Sequence, residues 1–191
     1  MGEHMDLLDL NRSALDLNLK LMADLEEAHL DMATPCGGWT VYELLRHQVE
    51  STLSFAAMVG GTAVGTAASD DMLIAYRAAT DAATEVFRAN GALERRVDFT
   101  GFGRLPGKDA VAAHFVDNLV HAWDLCRAIG IDSTLDTGLA TAAYRMARHY
   151  PTTPNVRGPG GAFAMPVDVP EDAPIADRLV GLLGRSPNWP A

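Results

Sequence analysis

Glycine and proline cut this chain so that long stretches of helical period alternate with stretches that cannot be helical, and that alternation confines it to a bundle of helices. Leu7, Leu10, Ala14, Leu17, Met22 and Leu25 approximate a 3.6-residue period and predict a first helix from Asp6 to Ala28. Thr34-Pro35-Cys36-Gly37-Gly38-Trp39 interrupts the helical pattern. Thr40-Val41-Tyr42-Glu43 then forms a capping box, which predicts a second helix running to about Val59 and closed by Gly60-Gly61. Ser69-Asp70-Asp71 opens a third helix over roughly 70–89, its acids matching the positive end of the dipole, and Asn90-Gly91 closes it. Residues 92–108 are open between a short hairpin around Gly101 and an ordered loop. A long fourth helix is expected from Asp109 to Ile129, a fifth over 136–149 and a last one from Asp172 to Leu183, with a Pro/Gly-rich surface loop over 150–170. The expected fold class is therefore all-α: a four-helix bundle with additional C-terminal helices. One domain is expected over 6–191, with a C-terminal wrap over 150–191. The opening Met-Gly-Glu-His-Met reads as an appended start outside the fold, so His4 is given no role.

Composition narrows the partners. Fifteen basic against 25 acidic side chains give a net charge of -10, with no local basic cluster, which argues against a phosphate-backbone partner. The two cysteines, Cys36 and Cys126, lie far apart and form neither a zinc ribbon nor a disulfide framework. The longest small and apolar stretch, Ser54 to Ala68, is broken by Gly60, Gly61 and Gly65 and is too short for a bilayer, which needs about 20 apolar residues. No signal-peptide pattern opens the chain, so a cytoplasmic location is expected.

The fourth helix carries the densest chemistry. His114, Asp117, His121 and Asp124 are spaced by three, four and three, which places them on one stripe. An aspartate and a histidine four apart can aim an oxygen and a nitrogen at one cation, as in bundle cores that hold metals. The stripe has a second reading, the solvent face of an amphipathic helix, because apolar residues fill the rest of the wheel. His47 shares an inward stripe with Leu44, Ser51 and Phe55, and reads either as a ligand or as a hydrogen-bonded core histidine. His29 and His149 read as helix-end residues. Cys36, just before a helix N-terminus, reads as a reactive thiol or a packing residue, and Cys126 as an inert core thiol. Trp39, Trp123 and Phe163 read as core or pocket wall. Phosphate loops and nucleophile elbows are missing.

Two motifs carry a resemblance. Thr34-Pro35-Cys36-Gly37-Gly38-Trp39-Thr40-Val41, followed by Leu44-Leu45-Arg46-His47, resembles a signature of actinobacterial DinB-like proteins. Asp117 to Leu125, followed by Ala128 and Gly130, resembles a second signature of the same group, and the tail from Ala162-Phe163 through Gly184-Arg185 to Trp189 is similar to its usual end. Within that superfamily the chain is most similar to small metal-binding proteins related to the N-terminal domain of mycothiol-dependent maleylpyruvate isomerase. The resemblance implies a DinB-like four-helix bundle holding a divalent metal through His47, Asp117 and His121, with zinc favoured and nickel or manganese as alternatives. Asp117 stands where relatives have His, Glu or Asp. It also implies mycothiol or a similar low-molecular-weight thiol, a small electrophile as partner, and a monomer or homodimer. The sequence ends without the sterol-carrier-like second domain of the isomerase, so maleylpyruvate isomerisation itself is not carried over. Asp124 is expected in a catalytic role, orienting a ligand one turn beyond His121, against the alternative of a surface carboxylate. Arg157 is expected to bind the thiol cofactor, against the alternative of a plain surface arginine. The expected activity is metal-dependent chemistry of the isomerase or S-transferase type, in which a thiol or water is activated against an electrophile. The alternative is a non-catalytic bundle that binds a metal or small metabolite.

Overall fold

The computed structural model describes residues 5–65 and 69–190. Residues 1–4, which fall in the stretch read as an appended start, lie outside the described residues. Among the described residues there are six α-helices and one two-stranded sheet. The bundle consists of α1 (Leu7–Ala23), α2 (Val41–Gly60), α3 (Met72–Arg88) and α4 (Gly107–Ala128). The strands β1 (Arg96–Phe99) and β2 (Gly103–Pro106) precede α4, while α5 (Thr137–Ala147) and α6 (Ile175–Leu182) follow it.

The local signals act where they are written. The Thr40 hydroxyl accepts from the Glu43 amide and the Glu43 carboxylate accepts from the Thr40 amide, so both ends of the capping box are made at the start of α2. Asp71 caps α3 by accepting from Leu73 and Ile74. The first helix ends earlier than its periodicity predicts, at Ala23 rather than Ala28. Asp24, Glu26 and Glu27 crowd acids onto the negative end of the helix dipole, and the chain turns instead into a short 3-10 segment, Glu27–His29. His29 closes that segment by accepting from the Glu26 amide, a different job from the helix-end role its position suggests. Residues 96–106 form the hairpin, with Phe99 opposite Gly103 and Gly101 at φ 83° in the turn.

Helix α4 runs down the middle. It packs against α1 and α2 within the bundle, α5 covers it from outside, and the hairpin covers its start. Its first turn lies flat on residues 92–95: Gly107 and Lys108 donate to the carbonyls of Arg95 and Leu93, and a Cβ on Gly107 would stand 2.2 Å from the Ala92 carbonyl oxygen. Enclosed on so many sides, α4 is buried almost all round, with Phe115, Val116, Leu119 and Leu125 fully covered. Each such side chain contributes about 1.5–3 kcal/mol. One buried polar chain takes a residue from every bundle helix. Asn18 of α1 donates to the Asn118 carbonyl of α4, Gln48 of α2 donates to Asn18, and Tyr76 of α3 donates to the Asn118 side chain at 2.6 Å. A buried network of this kind sets the relative heights of the helices, because any slip strands its members without partners.

The segment after α5 wraps back over the bundle. Phe163 donates to the Val156 carbonyl, Val167 donates to the Gly181 carbonyl, and α6 packs on α5. Gly184 ends the wrap at φ 85°, where a Cβ would stand 2.5 Å from that of Ala164. This turn sends Arg185 inward, where it is buried. Among the described residues no helix is long and apolar enough to cross a membrane.

Candidate metal centre

Burial of α4 settles the two readings of its polar stripe. His114 and Asp124 are fully buried and His121 is 3% exposed, so the stripe faces protein and not solvent. Seven residues, about two turns, separate His114 from His121, and the two sit in unlike surroundings.

His114 is surrounded by Phe55, Phe87 and two polar partners. Its Nδ1 meets the Asn11 side-chain oxygen at 2.8 Å and its Nε2 meets the Thr52 hydroxyl at 3.2 Å. An amide oxygen only accepts, so Nδ1 carries the proton and Nε2 accepts from Thr52. Burial lowers the His114 pKa to about 4 and keeps the ring neutral. Both nitrogens are thereby occupied, and His114 takes no part in the group below.

His121, Asp117 and His47 converge. His121 Nε2 lies 3.3 Å from Asp117 Oδ1, and His47 Nε2 lies 3.9 Å from Asp117 Oδ2, across the gap between α4 and α2. One ligand atom from each of the three falls within 4.8 Å of the others. Zinc–nitrogen and zinc–oxygen bonds of about 2.1 Å at tetrahedral angles put donors about 3.4 Å apart, and the contacts to Asp117 are close to that spacing. The donor set, two imidazoles and a carboxylate, suits a borderline divalent cation and leaves room for an outside ligand.

Partners behind the three fix their orientation. Asp124 Oδ2 accepts from His121 Nδ1 at 2.9 Å, which turns the Nε2 of His121 toward Asp117. Arg185 grips Asp124 in turn, with Nη2 2.9 Å from Oδ2 and Nε 3.3 Å from Oδ1. The Ser51 hydroxyl donates to Asp117 Oδ2 at 3.2 Å. Trp39 lies on the His47 ring at a centroid distance of 4.6 Å.

The electrostatics follow from these contacts. Burial opposes charge on His121, but the charge and hydrogen bond of Asp117, with Asp124 behind, raise its pKa to about 9. Asp117 is held well below the usual carboxylate range: burial works against its ionisation, and His121 and His47 outweigh that. Desolvation, then the neighbouring His121, lower the His47 pKa below its ordinary value, against the pull of Asp117. A cation bound here displaces the second proton of His121, so affinity rises with pH.

The remaining residues singled out in the sequence occupy definite places. Asp124 does not line the cavity beside the three; it stands behind His121. Arg157 is buried away from that cavity, donating to the Leu182 carbonyl with its guanidinium over the Phe163 ring. The cavity of about 230 Å³ is lined instead by Arg185, with Cys36 and Trp39 on the same wall. Burial raises the Cys36 pKa to about 11 despite the nearby Arg185, which overrides any help from the following helix. Cys126 is a buried core thiol, also raised to about 11 by burial, and Trp123 is core, while Phe163 is pocket wall. Sequence reasoning missed Arg185, Ser51, Phe99 and Phe102. Arg185 stood in the tail motif, but nothing local joins it to Asp124, 61 residues earlier.

Comparison with known proteins agrees with the fold. Two uncharacterised proteins of Mycobacterium tuberculosis, from strains CDC 1551 and H37Rv, are each 32% identical over 182 residues, spanning 95% of this chain and 99% of the relative. The crystal structure of mycothiol-dependent maleylpyruvate isomerase shares the fold at a TM-score of 0.55 and 15% identity, covering 75% of this chain and 68% of that one. A mutant of that isomerase matches at 0.58 and 14% identity over the same shares. The family model of the mycothiol maleylpyruvate isomerase N-terminal domain matches residues 12–126, the bundle that carries His47, Asp117 and His121, and the chain belongs to that family.

Proposed function

We propose that this protein is a divalent-metal-dependent enzyme of the mycothiol-dependent isomerase or S-transferase type. Its reaction joins an outside thiol, mycothiol or a close analogue, to a small electrophile, or activates water against it. The observation that carries the reading is the convergence of His47, Asp117 and His121 on one wall of a cavity, with the Nδ1 of His121 tied to Asp124 so that its Nε2 faces Asp117. Those three residues would hold the cation, zinc by preference and nickel or manganese as alternatives. A bound divalent cation supplies Lewis acidity that brings the pKa of a thiol or water toward neutrality.

The chain's own groups do the rest. Asp124 holds the Nδ1 proton of His121, and Arg185 keeps Asp124 ionised by pairing with both its oxygens. Ser51 steadies the Asp117 carboxylate, and Trp39 and Phe163 line the cavity as apolar wall. In a substitution the thiol sulfur bonds to the electrophilic carbon as the leaving group departs with its electron pair, and the thiol's proton passes to solvent or to the leaving group. In an addition the thiol's proton ends on the neighbouring carbon.

A non-catalytic metal- or metabolite-binding protein is the second reading, favoured by one observation: the cavity thiol Cys36 is held protonated, so it is no ready nucleophile. Elemental analysis of wild type beside His47→Ala and His121→Ala tests the metal. Near-stoichiometric metal in wild type, lost in both variants, is expected, and metal-dependent consumption of thiol with an electrophile then separates enzyme from binder. Wild type that takes up no zinc, nickel or manganese would exclude the metalloenzyme.

A further inference from the structure

Aromatic rings make up much of the wall of the cavity beside the candidate metal centre. Phe55 comes from α2, Phe99 and Phe102 from the hairpin, Phe163 from the C-terminal wrap, and Trp39 stands beside His47. Phe99 and Phe102 stack with centroids 4.5 Å apart and planes 11° apart, and Phe55 meets Phe99 edge-on at 5.5 Å. Four separate parts of the chain thus bring rings to one small space. Its volume of about 230 Å³ lies below the roughly 300–1,000 Å³ of sites for drug-sized ligands, so the occupant is small.

The charges in this wall are already committed. Among the described residues Arg185 is the one lysine or arginine on it, and its guanidinium donates to both oxygens of Asp124, to the Leu183 carbonyl and toward Cys36 Sγ. A ligand carboxylate placed away from the metal-binding face would therefore meet phenyl rings, and burying it there without a partner is costly. A flat apolar body would instead find stacking and edge contacts.

We infer that this cavity takes a small electrophile with one polar head and a flat, uncharged, apolar body, such as an activated arene or a conjugated enone, and not a dicarboxylate. The inference rests on the proposal that an electrophile meets an outside thiol here, and it narrows the electrophile. The head lies toward His47, Asp117 and His121, and the body lies against Phe102 and Phe163.

Calorimetric titration of the chelator-treated full chain with nitrobenzene and with maleate tests it, repeated on zinc-loaded protein. Nitrobenzene is expected to bind at least tenfold more tightly than maleate in the chelator-treated protein. Phe102→Ala is expected to weaken nitrobenzene at least fivefold, and Phe102→Leu, which keeps bulk without a ring, by a smaller factor. Circular dichroism checks that each variant is folded. No detectable nitrobenzene binding, or maleate binding as tightly, overturns the inference, as does nitrobenzene affinity within twofold of wild type in both folded variants. If nitrobenzene discriminates as expected while the protein takes up no metal, the metal reading fails and this inference stands. If metal is taken up but the ligands are not distinguished, the inference fails alone.

Discussion

His114 and His121 lie on one face of α4, about two turns apart, both buried, and their chemistry diverges. His114 has a neutral acceptor, a hydroxyl and two phenyl rings around it, and its pKa falls to about 4. His121 has Asp117 on one nitrogen and Asp124 on the other, and its pKa rises to about 9. Burial opposes charge on both. What separates them is whether carboxylates lie within reach to repay it, and the two histidines therefore divide into a packing residue and a ligand candidate.

The largest way to disturb that contrast is to remove the acid behind His121. Asp124→Ala leaves Arg185 buried without its counter-charge, a loss of about 3–5 kcal/mol expected from broken buried pairs, together with a fall in metal affinity of about 10–100-fold. Chemical denaturation and metal titration measure the two effects. A stability change under about 1 kcal/mol would mean that Arg185 finds another partner, and the positioning role of Asp124 would then be abandoned.

Next comes pH, read on metal-free protein. The folded pKa of His114 is depressed from 6.5 to about 4, so as pH falls the unfolded chain takes up its proton first. Stability present above pH 6.5 is then lost down to pH 4, by at most about 3 kcal/mol, with His47 adding to the same limb. The folded pKa of His121 is raised from 6.5 to about 9, so its contribution is complete below pH 6.5 and is lost as pH rises through 9. Melting temperature against pH should peak between the two limbs. His114→Gln should flatten the acid side and His121→Gln the alkaline side; the opposite assignment would reverse the contrast.

Smaller still is His114→Phe, which leaves Asn11 and Thr52 without their partner at a cost of about 1–3 kcal/mol and should not alter metal content. Loss of metal in that variant would show that the two histidine layers are coupled. Ser51→Ala removes one hydrogen bond to Asp117 and should cost about 0.5–1.5 kcal/mol, with metal affinity lowered by less than the Asp124 variant. Thermal melts and metal titration on one preparation would rank them.

Much of this was legible in local chemistry. The Thr40–Glu43 box, the Asp71 cap and the breaks at Gly60-Gly61 and Gly91 act within a few residues, so the ends of the helices they govern can be read from the chain. The alignment of Asp117 with His121 is likewise a property of one helix. The end of α1 is not legible in its periodicity, because the acids after Ala23 weigh against a pattern that continues past them. The hairpin is not legible locally because four-residue strands with a glycine turn have no stability of their own; packing on α2 and α4 supplies it.

By itself, then, the sequence determined where the side-chain-capped helices α2 and α3 begin and which donors share a face of α4, because those are short-range effects of backbone geometry. Tertiary structure decided which of those donors meet. Only the placement of α4 between α1, α2 and α5 buries the stripe. Only the return of the C-terminal wrap brings Arg185 to Asp124, and only the hairpin carries Phe99 and Phe102 to the cavity. A residue's pKa and role depend on charges a few ångströms away in space, and those neighbours come from distant parts of the chain.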